Sequence, residues 1–152
     1  GVRMRATEVY RLLRSSSVGF VVVTTLEQDP FSEAEFFCNE LHEFSMPLRG
    51  IVANRTLPDY LCDPAAASAA LALSEDETIS GWLSDELGHR VTNDAARRLG
   101  ETFLVFHRLA RRDAAQLDRL SRLTKRVPVA RIPLMTEEVG DLEGLARVAR
   151  YL

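Results

Sequence analysis

The sequence predicts an α/β fold built on a short parallel sheet of about three strands, with a helical segment inserted between the second and third strands. Three observations carry this prediction. Three short apolar runs, Val18–Thr25, Gly50–Asn54 and Val127–Leu134, have the length and residue types of strands. The stretch between the first two has a helical period. From Pro64 to Lys125 the pattern is helical throughout, with no strand-like run.

The first run, VGFVVVTT, is continuously apolar and rich in β-branched residues, as expected of a strand buried on both faces. A helix from about Phe31 to Phe44 follows, with Ala34, Phe37, Cys38, Leu41 and Phe44 at the spacing of a core-facing stripe. Ser32 and Glu35 have capping-box spacing, and Pro30 suits a first turn. With the second strand this makes a βαβ unit, which requires parallel strands and a right-handed crossover. An alanine-rich piece, an acidic turn (SEDET) and a helix around Ile79–Leu87 come next. A long helix over roughly Asp94 to Leu123 carries Leu99, Phe103, Phe106, Leu109, Leu117, Leu120 and Leu123. Its Gly100 weakens it by about 1 kcal/mol at an interior position. Pro128 fits the start of the third strand but not its middle. A last helix, Leu142–Leu152, shows Leu142, Leu145, Ala149 and Leu152 on one face. Sheets typically have about five or six strands. The expectation is therefore a single portion, 1–152, of a larger α/β protein, with a core at 1–60 and 126–152 and a helical segment at about 64–124.

Hydrophobic residues are 46% of the 152 and charged residues 27%, ordinary for a globular chain. A formal net charge of -3 supplies no electrostatic footprint for nucleic acid or an anionic membrane. No apolar run approaches the roughly 18 residues that span a bilayer. Residues 1–14 lack the apolar stretch of a secretory signal. Two cysteines, Cys38 and Cys62, make no disulfide framework. A reduced, cytoplasmic protein without direct membrane insertion is expected. All but one of the 19 basic residues are arginine, so Lys125 is the one candidate for lysine chemistry.

In open α/β sheets ligands sit beyond the carboxyl ends of the strands. Those ends carry Glu27, Asn54 and the pair Pro133-Leu134, and parallel strands bring all three to one edge. The Asn54 amide offers both donor and acceptor, as an adenine edge requires, although a strand-end asparagine more often serves local backbone.

These residues resemble a known family. FVVVTTLE (Phe20–Glu27), SEAE (Ser32–Glu35), MPLRGIVANR (Met46–Arg55) and ARIPLMTEEV (Ala130–Val139) are similar, in order and spacing, to the ArsA family. That family comprises arsenical-pump ATPases and the ATPases that deliver tail-anchored membrane proteins. The resemblance implies a partial P-loop NTPase-like three-layer sandwich, with the helical segment outside its core. It also implies an ATP cofactor. Asn54 would bond adenine, Pro133 and Leu134 would pack along the base, and Glu27 would contact nucleotide near the interface of an ATP-bound dimer. Arg55 stands where many members have glutamine. Only Cys62 lies near the region where zinc-linked members carry C-x-x-C, so neither a zinc site nor an arsenite site is expected.

No G-x-x-x-x-G-K-[ST] occurs, and Lys125 in LTKRV has no glycines around it. The resemblance places the phosphate loop and the magnesium-binding aspartates in an amino-terminal half that these residues lack. The chain is therefore expected to bind adenine nucleotide without hydrolysing it, with that missing half and a homo-oligomer or paralogue dimer as partners. The alternative is a stand-alone interaction module that has lost nucleotide chemistry.

Other features read as structural. His42, His89 and His107 share no metal-ligand spacing. Ser15-Ser16-Ser17 is a loop without a nucleophile elbow. Glu137-Glu138 read as first-turn helix charge rather than a magnesium pair. The basic run Arg108–Arg126 reads as the solvated face of a helix. Trp82, with Leu83 and Leu87, is expected to be buried in the helical segment.

Overall fold

The computed structural model describes residues 2–76, 78–123 and 127–152. Lys125, Arg126 and the Glu77 of the acidic turn lie outside the described residues. In chain order the elements are α1 (Val2–Leu13), β1 (Phe20–Thr24), α2 (Gln28–Glu43), β2 (Leu48–Thr56) and a 3-10 turn (Asp59–Cys62). They continue with α3 (Pro64–Glu75), α4 (Ile79–Leu87), α5 (Asn93–Leu123), β3 (Val129–Pro133) and α6 (Leu142–Ala149). The chain divides into two units, Gly1–Thr56 with Ala115–Leu152, and Leu57–Ala114.

The first unit holds a three-stranded parallel sheet in the order β1-β2-β3. Val22 lies opposite Ile51 and Thr24 opposite Ala53; Ile51 in turn lies opposite Val129. These residues share one face, and α2 packs on it. Val22, Leu26, Phe31, Ala34, Cys38, Leu41, Ile51, Ala53 and Leu120 form the buried core, so the end of α5 closes this cluster. Arg119 fastens it at the surface: its guanidinium bonds the Glu35 carboxylate at 2.6 Å and lies 5.7 Å from the Phe31 ring centre.

Several expectations are corrected here. β1 is not buried on both faces: Val21 is 58% and Val23 64% exposed, while Val22 and Thr24 between them are buried. A continuous apolar run has the same composition whether its second face is covered or bare. The α2 stripe runs through Phe31, Ala34, Cys38 and Leu41, and leaves Phe37 and Phe44 exposed. Ser32 and Glu35 form no capping box. The helix starts three residues before the expected Phe31, with extended Glu27 as its N-cap, and the Ser32 hydroxyl donates to the Gln28 carbonyl from inside the helix. Pro30 is accommodated because first-turn N–H groups have no intrahelical acceptor. Glu137 and Glu138 precede α6 rather than open it. Asp141 caps that helix by accepting from the Gly144 N–H at 2.7 Å, Glu143 is the first-turn acid, and Glu137 pairs with Arg147. The final helix stops at Ala149 rather than continuing to Leu152.

The second unit is helical. Asp63 caps α3 through the Ala65 N–H at 2.9 Å, with Pro64 in the first turn. Within this unit the buried positions of α5 are Ala96, Gly100, Ala110 and Asp113, a stripe of small and polar residues. Leu99 and Phe106, which help mark this helix in sequence, are exposed. Trp82 is 62% exposed, against the expectation of burial. The buried face of α4 is instead lined by Ser80 and Ser84, which bond Asn93 and the Val91 backbone.

Candidate functional site

The carboxyl edge of the sheet is assembled by strand direction alone. β1, β2 and β3 run parallel, so Glu27, Asn54 and Pro133-Leu134 emerge on the same side. Asn54 lies opposite Ile132, and Thr56 opposite Pro133. The ladder continues one residue further, because the Leu134 N–H donates to the Thr56 carbonyl at 2.9 Å. The buried Thr56 hydroxyl donates to the Ile132 carbonyl at 3.3 Å, so the β2 and β3 ends are tied twice.

Between Asn54 and Thr56 the register slips and Arg55 takes a left-handed conformation (φ 59). A non-glycine residue in that region is uncommon and costs about 1 kcal/mol. The Asn54 side chain offsets part of this cost, since its Oδ1 accepts the Arg55 N–H at 3.0 Å. The local-backbone role expected of a strand-end asparagine is therefore present. It occupies one lone pair of a carbonyl that has two.

Asn54 also lines a pocket of about 390 Å³ on the β1 side. Val22, Val23, Pro30, Ala34 and Phe37 supply apolar wall, and Thr24, Thr25 and Glu33 supply polar groups. The Thr24 hydroxyl donates to the Thr25 and Pro30 carbonyls, at 2.9 and 3.0 Å, which fixes the start of α2 against the end of β1. The Thr25 Oγ1 is buried without a hydrogen-bond partner. A buried hydroxyl in that condition carries a free energy cost that a ligand could relieve.

Of the predicted residues, Asn54 alone lines this pocket. Glu27 is exposed at the head of α2, its backbone carbonyl accepting the Phe31 N–H at 3.0 Å. Pro133 is half-buried and Leu134 exposed at the end of β3, on the same edge but not among the pocket residues. Sequence reasoning missed the wall residues from α2 and the Thr24-Thr25 pair. The usable signal was the change from apolar to hydroxyl residues at the carboxyl end of a strand.

The pocket fits a neutral, flat heterocycle with hydrogen-bonding edges. It does not fit a phosphate. Its charged residue is Glu33, which repels anions, and no lysine or arginine lines it.

The three histidines do not gather. His107 Nδ1 contacts the Leu61 carbonyl at 2.6 Å and His89 Nδ1 the Leu87 carbonyl at 3.1 Å, each a local contact. Among the described residues no three His, Cys, Asp or Glu side chains are placed to hold a metal ion. Nor is any described helix long and apolar enough to cross a membrane. No protein-family model and no curated protein matches the sequence.

Proposed function

We propose that this chain is the adenine-binding carboxyl-terminal part of an ArsA-like ATPase, contributing base contacts while the phosphate loop and its magnesium come from residues outside this sequence. The observation that carries the reading is the placement of Asn54. Its amide stands at a parallel strand end, on the same edge as Glu27 and Pro133-Leu134, and opens on a pocket with apolar walls. An amide presents an acceptor and a donor side by side, which complements the donor-acceptor edge of adenine. Bound ATP would supply the energy of hydrolysis in the whole protein. The residues in hand would orient the base and leave the phosphates to other groups.

Calorimetric titration with adenosine, ADP and ATP tests this. The expected result is weak binding of similar strength for all three, because phosphates gain nothing from a pocket whose charge is Glu33. Asn54→Asp keeps the acceptor that holds Arg55 N–H but removes the amide donor, so it should abolish binding with little change in thermal stability. No binding of any of the three by the wild-type chain, at concentrations up to several millimolar, would sink the proposal.

A second reading, a stand-alone interaction module, is favoured by Trp82. A large aromatic that is 62% exposed on α4, on the same helix as exposed Leu87, is the residue type that anchors protein interfaces. Retained partner binding by a chain that takes up no adenosine would favour it.

A further inference from the structure

The lateral edge of β1 is the strongest surface that the adenine reading does not use. β1 lies at one end of the sheet, and among the described residues no strand pairs with its outer side. Its sequence, Phe20-Val21-Val22-Val23-Thr24, contains no charge and no proline, the usual devices that keep an edge from pairing. The side chains of Val21 and Val23 are both more than half exposed.

Hydrogen-bond parity says which backbone groups face outward. The Phe20 N–H donates to the Pro47 carbonyl at 2.9 Å, toward β2. Residues alternate along a strand, so Val22 and Thr24 also face β2, while the N–H and C=O of Val21 and Val23 point to the open side. An occupant must therefore be an extended strand with free main-chain groups at two alternating residues and apolar side chains beside them.

We propose that the occupant is a second copy of β1, paired antiparallel about a twofold axis at Val22. In that register Val21 of one copy lies opposite Val23 of the other. Each such pair exchanges both of its outward N–H···O=C bonds, and the exposed valines meet as cross-strand neighbours on one face. Phe20 falls opposite Thr24, and Val22 opposite itself. The strand is thus its own complement at every position, as an isologous interface requires. Glu33 lines the pocket at the carboxyl end of β1, so the antiparallel arrangement sets the two Glu33 carboxylates at opposite ends rather than face to face. The other edge strand, β3, carries Arg131 and Pro133, which discourage pairing there, so association closes at two copies instead of running into a fibre. The inference does not rest on nucleotide binding.

Sedimentation of the whole chain across about 1–200 μM tests it, with a concentration-dependent dimer expected. Val23→Pro removes the outward N–H without disturbing the bonds to β2, and takes away half of the interchain bonds. It should raise the dimer dissociation constant at least about 10-fold while leaving the circular dichroism spectrum unchanged. Val23→Lys, at the same exposed position, is a second variant with the same expected effect and no backbone change. The register is read by mixing Val21→Cys and Val23→Cys proteins in a Cys62→Ser background. Oxidation should yield the mixed dimer in preference to either self-pair. A monomer throughout the range, a dimer indifferent to both Val23 variants, or crosslinks without the mixed preference would each overturn the proposal.

Discussion

Helix propensity and packing make opposite predictions for Gly100, and the structure decides between them. In an exposed helix interior, Gly→Ala stabilises by about 1 kcal/mol, because alanine restricts the unfolded chain and favours the helix. Gly100 lies inside α5 and is buried, one turn after buried Ala96, where α5 crosses α3 at buried Ala70. A Cβ at position 100 would fall inside 3.0 Å of the Ala70 carbonyl oxygen, 3.0 Å from the Ser74 nitrogen and 3.1 Å from the Leu73 Cβ. Two of these atoms are backbone, so no side-chain rotation relieves the overlap and α3 must move. Overpacking of this kind costs about 1–3 kcal/mol. Backbone obstruction puts Gly100→Ala in the upper part of that range. After the propensity gain is subtracted, a net loss of about 1–2 kcal/mol remains, or roughly 2–8 °C in Tm for a chain of this size. Gly81, in exposed α4 with no atom within 4 Å of its would-be Cβ, is the control, and Gly81→Ala should stabilise by up to about 1 kcal/mol. Thermal and urea unfolding of both variants gives the signs directly. If Gly100→Ala stabilises as Gly81→Ala does, α3 and α5 do not meet backbone to backbone at this position, and the reasoning fails.

Two further predictions concern α2. Its carboxyl end is a Schellman motif: the Met46 N–H donates to the Leu41 carbonyl at 2.8 Å and the Ser45 N–H to the His42 carbonyl at 3.0 Å, with Ser45 left-handed (φ 54). Glycine occupies such a position without Cβ strain, so Ser45→Gly should stabilise by about 0.5–1 kcal/mol in urea unfolding; a loss would show that the serine side chain contributes more than its backbone costs. Burial, and secondarily the Glu35 carboxylate, push the Cys38 thiol above its ordinary range. The folded state then favours the protonated thiol. Its contribution to stability is complete below the unfolded-state value and is lost as pH rises through the folded one. Unfolding free energy should fall on the alkaline side of the thiol's ordinary range, Cys38→Ala should flatten that fall, and Cys62 should react first with a thiol reagent. Equal reactivity of the two cysteines would contradict the burial of Cys38.

The elements that sequence reveals best are those whose signal is set by the chain itself. The three strands and their parallel order follow from β-branched runs separated by a helix, and α4 occupies the residues expected from its period. What sequence conceals is whatever depends on the neighbour. A run such as VGFVVVTT carries no mark of which face will be covered, so the exposure of Val21 and Val23 is illegible until the third dimension is known. The α2 start was displaced because Ser32 and Glu35 fit a capping pattern, yet Glu27 can cap with its backbone alone while Pro30 needs no acceptor. α1 carried no signal strong enough to mark it: Met4, Val9, Tyr10 and Leu12 are all exposed, so no core-facing stripe exists to be read. The buried stripe of α5 in its helical unit is made of Ala96, Gly100, Ala110 and Asp113, residues that hydropathy ranks low. Its more conspicuous Leu99 and Phe106 face away.

The candidate site shows the same division, and Asn54 shows why a local role and a ligand role need not compete. Strand-end asparagines usually serve their own backbone, and this one does, holding the Arg55 N–H in a turn that would otherwise be strained. That duty fixes the side-chain torsions, because the Oδ1 must stay 3.0 Å from one particular nitrogen. A fixed amide is a better recognition element than a free one, since the rotamer entropy is spent on folding and not again on binding. The remaining lone pair and the two N–H groups are then held in a constant direction at the rim of the β1–α2 pocket. The left-handed Arg55 is thus part of the positioning of Asn54. Relaxing that turn would loosen the amide, and with it any grip on a base, before it unfolded anything.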